Sequence, residues 1–248
     1  MKAIIIAAGS GKRISKEYAN TPKALIKIHG STLLEKQISL FNKYGINEII
    51  VIRGPNKEKF QNSKIIYVDD LNFEEHDILG SLMEAKNFIN GDVIITYSDI
   101  IFDEQILEVI IKKKVDIGIA IKANWRNGYE NRTLHPLSEA ENVVYDNNDV
   151  SIIKKNITNS SKNIGEFLGI LKLSKLGSYQ FTKHYENLLK HHAGKFHNSS
   201  SLIKAYLTDM IQELIEKGIS IKPILVDGNW YEIDTLEDLE RVKSIFKH

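Results

Sequence analysis

The stretch Met1-Lys2-Ala3-Ile4-Ile5-Ile6-Ala7-Ala8-Gly9-Ser10-Gly11-Lys12-Arg13 decides the fold, and Thr21-Pro22-Lys23-Ala24-Leu25 is its sequel. An apolar run without alternation reads as a strand buried on both faces, as in a parallel sheet. It empties into glycines, which let main-chain N–H groups approach phosphate closely. Arg13 and Lys23 add fixed positive charge. Strand, glycine loop and cations together predict a grip on a nucleoside triphosphate. Two familiar templates do not fit: nothing here supplies the Gly-Lys-Ser/Thr ending of a P-loop, and Ile14 stands where a dinucleotide fingerprint needs its third glycine.

Outward from this segment, strand-like and helix-like stretches alternate. Strands are expected over 2–7, 48–53, 64–68, 92–97 and 115–122. Between them, Ser31 N-caps a helix running to about Tyr44, and further helices are expected over 77–88 and 104–113. Apolar strands separated by helices imply an α/β protein with a mostly parallel central sheet between two helical layers. The pattern changes after residue 122. A polar, aromatic loop spans 125–141, of a length that usually signals function. Asp146-Asn147-Asn148-Asp149 then joins two short strands as a β-hairpin. A strand over 165–173 precedes helices over 175–192 and 200–217. Strands over 221–226 and 229–233 lead to a last helix over 235–246, where Thr235 and Asp238 form a capping-box-like start. Without repeats or linkers, residues 1–248 read as one domain.

The 248 residues carry 33 Lys plus Arg against 32 Asp plus Glu, a net charge of +1. That balance argues against dependence on a nucleic-acid backbone, so any anion site is a local cluster. No cysteine is present, which excludes disulfides, thiolate catalysis and Cys-ligated metal. No apolar run approaches the ~20 residues of a bilayer span. No signal peptide is visible, and the cytoplasm is the expected location.

A nucleoside triphosphate is handled with Mg²⁺, which a few carboxylates at the carboxyl ends of sheet strands would hold. Asp99, closing the strand Val93–Ser98, meets that condition, as does Asp234 in Trp230-Tyr231-Glu232-Ile233-Asp234-Thr235. Asp103 reads as a helix cap. Among the histidines, His184, His191, His192 and His197 sit among Lys183, Lys190 and Lys195 without an evident carboxylate partner, and read as a solvated helix end.

The opening segment with Pro22-Lys23 resembles the amino-terminal signature of the nucleotidyltransferases that include sugar-nucleotide pyrophosphorylases and phosphocholine cytidylyltransferases, with a Rossmann-like fold. Gly9, Gly11, Arg13 and Lys23 match residue by residue. The resemblance implies that Ala7, Ala8, Gly9, Ser10, Gly11, Lys12 and Arg13 wrap the nucleotide, that Ser81 contacts it, and that Asp99 and Asp234 hold the metal. Lys23, Arg13 and Asp99 become the catalytic set.

Asp77-Ile78-Leu79-Gly80-Ser81-Leu82, Tyr97-Ser98-Asp99-Ile100 and the 125–141 loop resemble a narrower branch, the nucleotidyltransferases associated with phosphoenolpyruvate phosphomutase in phosphonate pathways. This implies CTP as donor and a small phosphonate as acceptor. Arg126, Arg132 and His135, with Tyr129 between them, offer forked hydrogen bonds and an aromatic wall to such an acceptor; a solvated loop whose charges pair with Glu130, Glu139 and Glu141 is the alternative. Glu166 and Asp209 could face its amine or hydroxyl; packing and helix capping are the alternatives. An aromatic cage from Trp125, Tyr129, Trp230 and Tyr231 leaves phosphocholine open, and a sugar 1-phosphate fits the loop less well. A nucleotide-sensing subunit without activity is the reading from another class, countered by the presence of Lys23, Asp99 and Asp234. The helices over 175–217 could serve as a homodimer surface or simply pack.

Overall fold

Isoleucine-rich strands build the centre of the molecule. The computed structural model describes residues 1–9, 14–130 and 132–245. β1 (Lys2–Ala7) leads through a 3-10 turn at Lys23–Leu25 to a small pair, β2 (Lys27–Ile28) and β3 (Ser31–Thr32). Then come α1 (Leu33–Lys43), β4 (Ile49–Arg53), β5 (Ile66–Asp69), α2 (Ile78–Glu84), β6 (Val93–Tyr97), β7 (Ile100–Phe102), α3 (Glu104–Lys112) and β8 (Ile117–Lys122). After the loop follow β9 (Glu141–Tyr145), β10 (Val150–Lys155), β11 (Asn163–Leu173), α4 (Lys175–His191), α5 (Leu207–Glu216), β12 (Lys222–Leu225), β13 (Trp230–Glu232) and α6 (Leu236–Ile245).

Nine strands form the main sheet. Along β10-β9-β11-β6-β1-β4-β5, the stretch from β6 to β5 is parallel, with β1 between β6 and β4. Ile4, Ile5, Ile50, Val51, Ile94 and Ile95 are all fully buried. Successive strand residues point to opposite faces, so this run of burial means that both faces are covered. β11 extends the sheet antiparallel to β6, β8 and β9, while β12 joins β8 in parallel. Two-stranded sheets β7–β13 and β2–β3 lie apart from it.

β11 shapes the crevice. Its Ile170–Leu173 half pairs with β6, whereas its Asn163–Glu166 half pairs with β9. Between them the register against β8 slips from Phe167 to Leu171. Gly169 makes that slip possible: its φ is +69°, and a Cβ there would stand 2.6 Å from the Tyr97 ring. Beyond Tyr97 the sheet therefore opens, and a cavity fills the gap.

Two helix starts differ from expectation. α1 is capped by Thr32, not Ser31, because Thr32 and Glu35 exchange the reciprocal bonds of a capping box. α5 begins at Leu207, not Ser200. Its N-cap is Tyr206, whose N–H donates to the carboxylate of Asp209 in the first turn; the same carboxylate takes the Ser199 hydroxyl, and Ser199 is also tied in a bridge to Phe196. No helix among the described residues is long and apolar enough to cross a membrane.

Candidate active site

Three predicted residues meet at one point. The Lys23 ammonium, 4% exposed, donates to Asp99 Oδ2 at 3.0 Å and to Asp234 Oδ1. The chain arranges this meeting by pairing β7 with β13, where Ile100 stands opposite Glu232. One step beyond, the Ile233 N–H donates to the Asp99 carbonyl at 2.9 Å. Two aspartates far apart in sequence thus close the ends of neighbouring segments. Lys23 reaches them from the 3-10 turn that Pro22 starts, closed by the Ile26 N–H on the Lys23 carbonyl.

Gln37 holds the Asp99 turn. From α1 its amide donates to the carbonyls of Tyr97, at 2.9 Å, and Ile100, at 2.8 Å, while its oxygen accepts from Thr96. Asp238 does the same for Asp234: one carboxylate oxygen accepts the N–H groups of Asp234 and Thr235 and the Thr235 hydroxyl. The expected capping pair of Thr235 and Asp238 is present, with the Asp238 N–H on the Thr235 hydroxyl.

A cavity of about 800 Å³ surrounds this centre, a volume suited to small-molecule substrates. Ala8, Gly9, Lys23, Ser81, Asp99, Tyr129, His135, Glu166 and Asp234 all line it. Ser10, Gly11, Lys12 and Arg13 lie outside the described residues; Ala7 is buried at the end of β1.

Other predicted contacts do not reach the cavity. Arg132 is buried with Asp238, its Nε donating to Oδ1 at 2.8 Å, so it braces the Asp234 turn from behind. Arg126 is exposed, with its guanidinium 4.6 Å from the Trp125 ring. Asp209 accepts the Tyr206 N–H at the start of α5. Trp125 is buried against Tyr129 and Ala140, so the expected cage keeps only Tyr129 and Trp230 at the cavity wall. Asp103 sits at the N-cap of α3, yet its carboxylate binds the Asn229 main-chain and side-chain N–H groups. The histidine segment also needs correction. His184 and His197 flank opposite oxygens of Glu213 at 3.3 and 3.0 Å, a carboxylate partner supplied from α5 by folding.

One arm of the cavity is acidic and aromatic. Glu141 and Glu166 stand there with Tyr97, Tyr129, Tyr206 and Trp230, and Lys155, paired with Glu139 at 2.8 Å, reaches the same wall. The Tyr129 hydroxyl donates to Glu166, and Tyr97 and Thr208 donate to Glu141 at 3.4 and 3.3 Å. Burial pushes both glutamates up to about 7. Glu232 is also pushed well up, by burial first and then by the charges of Asp234 and Asp99. Burial, and next the charge of Arg132, lowers His135, whose Nδ1 is 3.5 Å from Asp234 Oδ2. Sequence reasoning passed over Gln37, Glu141 and Glu232. Only Glu232 had a local signal: two residues before Asp234 on an extended segment, it shares that residue's face.

Asp99 and Asp234 meet at the Lys23 ammonium, and His135, Glu232 and Asp234 bring ligand atoms within 4.8 Å of one another; the carboxylate oxygens suit a hard cation such as Mg²⁺, which Asp99 and Asp234 would hold.

The family profile described as MobA-like NTP transferase domain matches residues 3–148. Over 97% of its length the chain is 27% identical to the CTP:phosphoglutamine cytidylyltransferase of Campylobacter jejuni subsp. jejuni serotype O:2, covering 98% of that protein. It is 28% identical to the bifunctional protein GlmU of Methanococcus vannielii over 99% of its own length, and spans 55% of that longer chain. The fold matches that of the CTP:phosphocholine cytidylyltransferase of Streptococcus pneumoniae with a TM-score of 0.74 and 21% identity, each chain covered to 99%.

Proposed function

The chain belongs to the MobA-like NTP transferase domain family and is a nucleotidyltransferase, and from that premise we propose that it transfers CMP from CTP to a small phosphonate or phosphate that carries a cationic nitrogen. The observation that carries this acceptor class is the wall of Glu141, Glu166 and Glu232 with Tyr97, Tyr129 and Trp230, next to the Lys23 centre. Glu166 is buried, and a buried carboxylate needs a positive partner to hold its charge, while aromatic faces attract a cation. 2-Aminoethylphosphonate, phosphocholine and phosphoglutamine all join a phosphorus oxyanion to such a nitrogen. 2-Hydroxyethylphosphonate does not, and this wall disfavours it. The two cytidylyltransferase relatives support CTP as the donor.

In the reaction an acceptor oxyanion attacks the α-phosphorus of CTP. A new P–O bond forms, the α–β bridging P–O bond breaks, and pyrophosphate leaves with the electron pair. A phosphate ester has its second pKa near ~6, so the nucleophile is largely ionised at neutral pH and needs no strong base. Catalysis then rests on position and charge. Lys23 would turn its ammonium from the aspartates to the α-phosphate, and His135 would orient Asp234. Asp99 and Asp234 would hold Mg²⁺, which supplies neutralising charge to the triphosphate.

The test is pyrophosphate release with CTP and Mg²⁺ across an acceptor panel. Turnover is expected with at least one of 2-aminoethylphosphonate, phosphocholine and phosphoglutamine, at least tenfold above 2-hydroxyethylphosphonate and glucose 1-phosphate. Preference for an acceptor without a cation would refute the proposed class.

A further inference from the structure

The arm of the cavity opposite the acidic wall has different chemistry. Ala8, Pro55, Phe73, His76, Ile78 and Ser81 line it, with the exposed Glu74 and Asp77 at its rim. A flat, neutral, hydrogen-bonding ring fits between such surfaces, and a triphosphate from there would run to Lys23.

Behind this arm lies Asp70, whose side chain is fully buried. Its Oδ1 accepts the Asn72 N–H at 3.0 Å and His76 Nδ1 at 3.0 Å; its Oδ2 accepts the Ser81 hydroxyl at 2.7 Å. A carboxylate has no proton to give. His76 Nδ1 must therefore carry hydrogen, and the single hydrogen of Ser81 is committed to Asp70. What Ser81 keeps for the cavity is the lone pairs of its oxygen. The support is rigid. A Cβ on Gly80 would stand 2.3 Å from the Ile203 carbonyl oxygen and 2.8 Å from His76 Cγ, so α2 packs tightly there.

We propose that Asp70 is a positioning residue for nucleobase choice: by taking the Ser81 hydrogen and so fixing Ser81 as a hydrogen-bond acceptor, it makes this arm select cytosine over uracil. Cytosine presents the N4 amino group as a donor, whereas uracil presents O4, an acceptor that would face lone pairs. Unpaired polar groups in a buried site are what give such discrimination its size. This inference rests on the view that the cavity takes a nucleoside triphosphate, and extends it to the residue that chooses the base.

The experiment measures binding of CTP and of UTP by calorimetry with Mg²⁺ and without acceptor, so turnover is not needed. The wild-type protein is expected to bind CTP at least tenfold more tightly. In Asp70→Asn, two donors hold the amide oxygen at the Oδ1 position, so the new NH₂ faces Ser81 and frees its hydrogen for the cavity. The CTP-to-UTP ratio should fall at least fivefold. Ser81→Ala removes the acceptor and should lower the ratio through weaker CTP binding, which decides the matter if Asp70→Asn does not fold. Equal wild-type affinities, or a ratio unchanged in Ser81→Ala or in folded Asp70→Asn, overturn the proposal. Selective CTP binding without pyrophosphate release would uphold the base selector and refute the transfer reaction. Transfer without base preference would do the reverse.

Discussion

At Glu166 the chain keeps a carboxyl group where water scarcely reaches, 3% exposed. Burial raises it to about 7 from an ordinary value of 4.5, against the pull of the Tyr129 hydroxyl. Between those values the folded protein holds a proton that the unfolded chain has released. Stability from this group therefore falls as pH climbs through that window, and the penalty is complete above about 7. Glu166→Gln keeps the shape and discards the charge. It should raise stability by about 1–3 kcal/mol at pH 8 and by almost nothing at pH 4.5. Thermal melts at the two pH values check this, and equal shifts at both would contradict the buried-charge account. An ammonium group in the acidic arm restores the ionised form, so acceptor binding should tighten as pH rises through about 7, an effect the glutamine variant weakens and Glu141 partly keeps.

Among the elements, the contact that decides most is the one between the 125–139 loop and the start of α6. Arg132 and Asp238 are both almost fully buried, and Asp238 in turn shapes the turn that presents Asp234. Arg132→Met would strand that carboxylate at a cost of about 3–5 kcal/mol. A fall in melting temperature of roughly 6 °C or more is expected for a chain of this size. An unchanged melt with a raised acceptor KM would mean instead that Arg132 holds the substrate. The sequence displays Arg132 only as one charge in a charged loop; its partner stands 106 positions away, and nothing local says which way the side chain turns. Gln37 is illegible for the same reason, bonded to carbonyls 60 and 63 positions off. Strands β1, β4 and β6 are legible because burial on both faces writes itself as unbroken apolar runs. Asp209 stands between: capping is one of the two roles the sequence leaves open for it, while the helix start expected at Ser200 would place it well inside the helix.

Over the whole molecule, net charge conceals what matters. A chain at +1 gathers Asp99, Glu141, Glu166, Glu232 and Asp234 around one cavity and sets Lys23 among them. The parallel strands β1 and β6 end side by side, Gly169 lets β11 swing aside, and the β7–β13 pair carries the second aspartate to the first. The resulting cleft has an acid-rich, aromatic arm, a neutral arm and, between them, a centre where Lys23 stands between two aspartates. That division suits a reaction joining a nucleotide to a cationic phosphorus acid. The most direct test is a crystal structure with Mg²⁺ and a non-hydrolysable CTP analogue. It should show the metal ligated by both Asp99 and Asp234, the Lys23 ammonium moved onto a phosphate oxygen, and cytosine against Ser81. A metal held elsewhere, with Lys23 still locked between the two aspartates, would contradict the account.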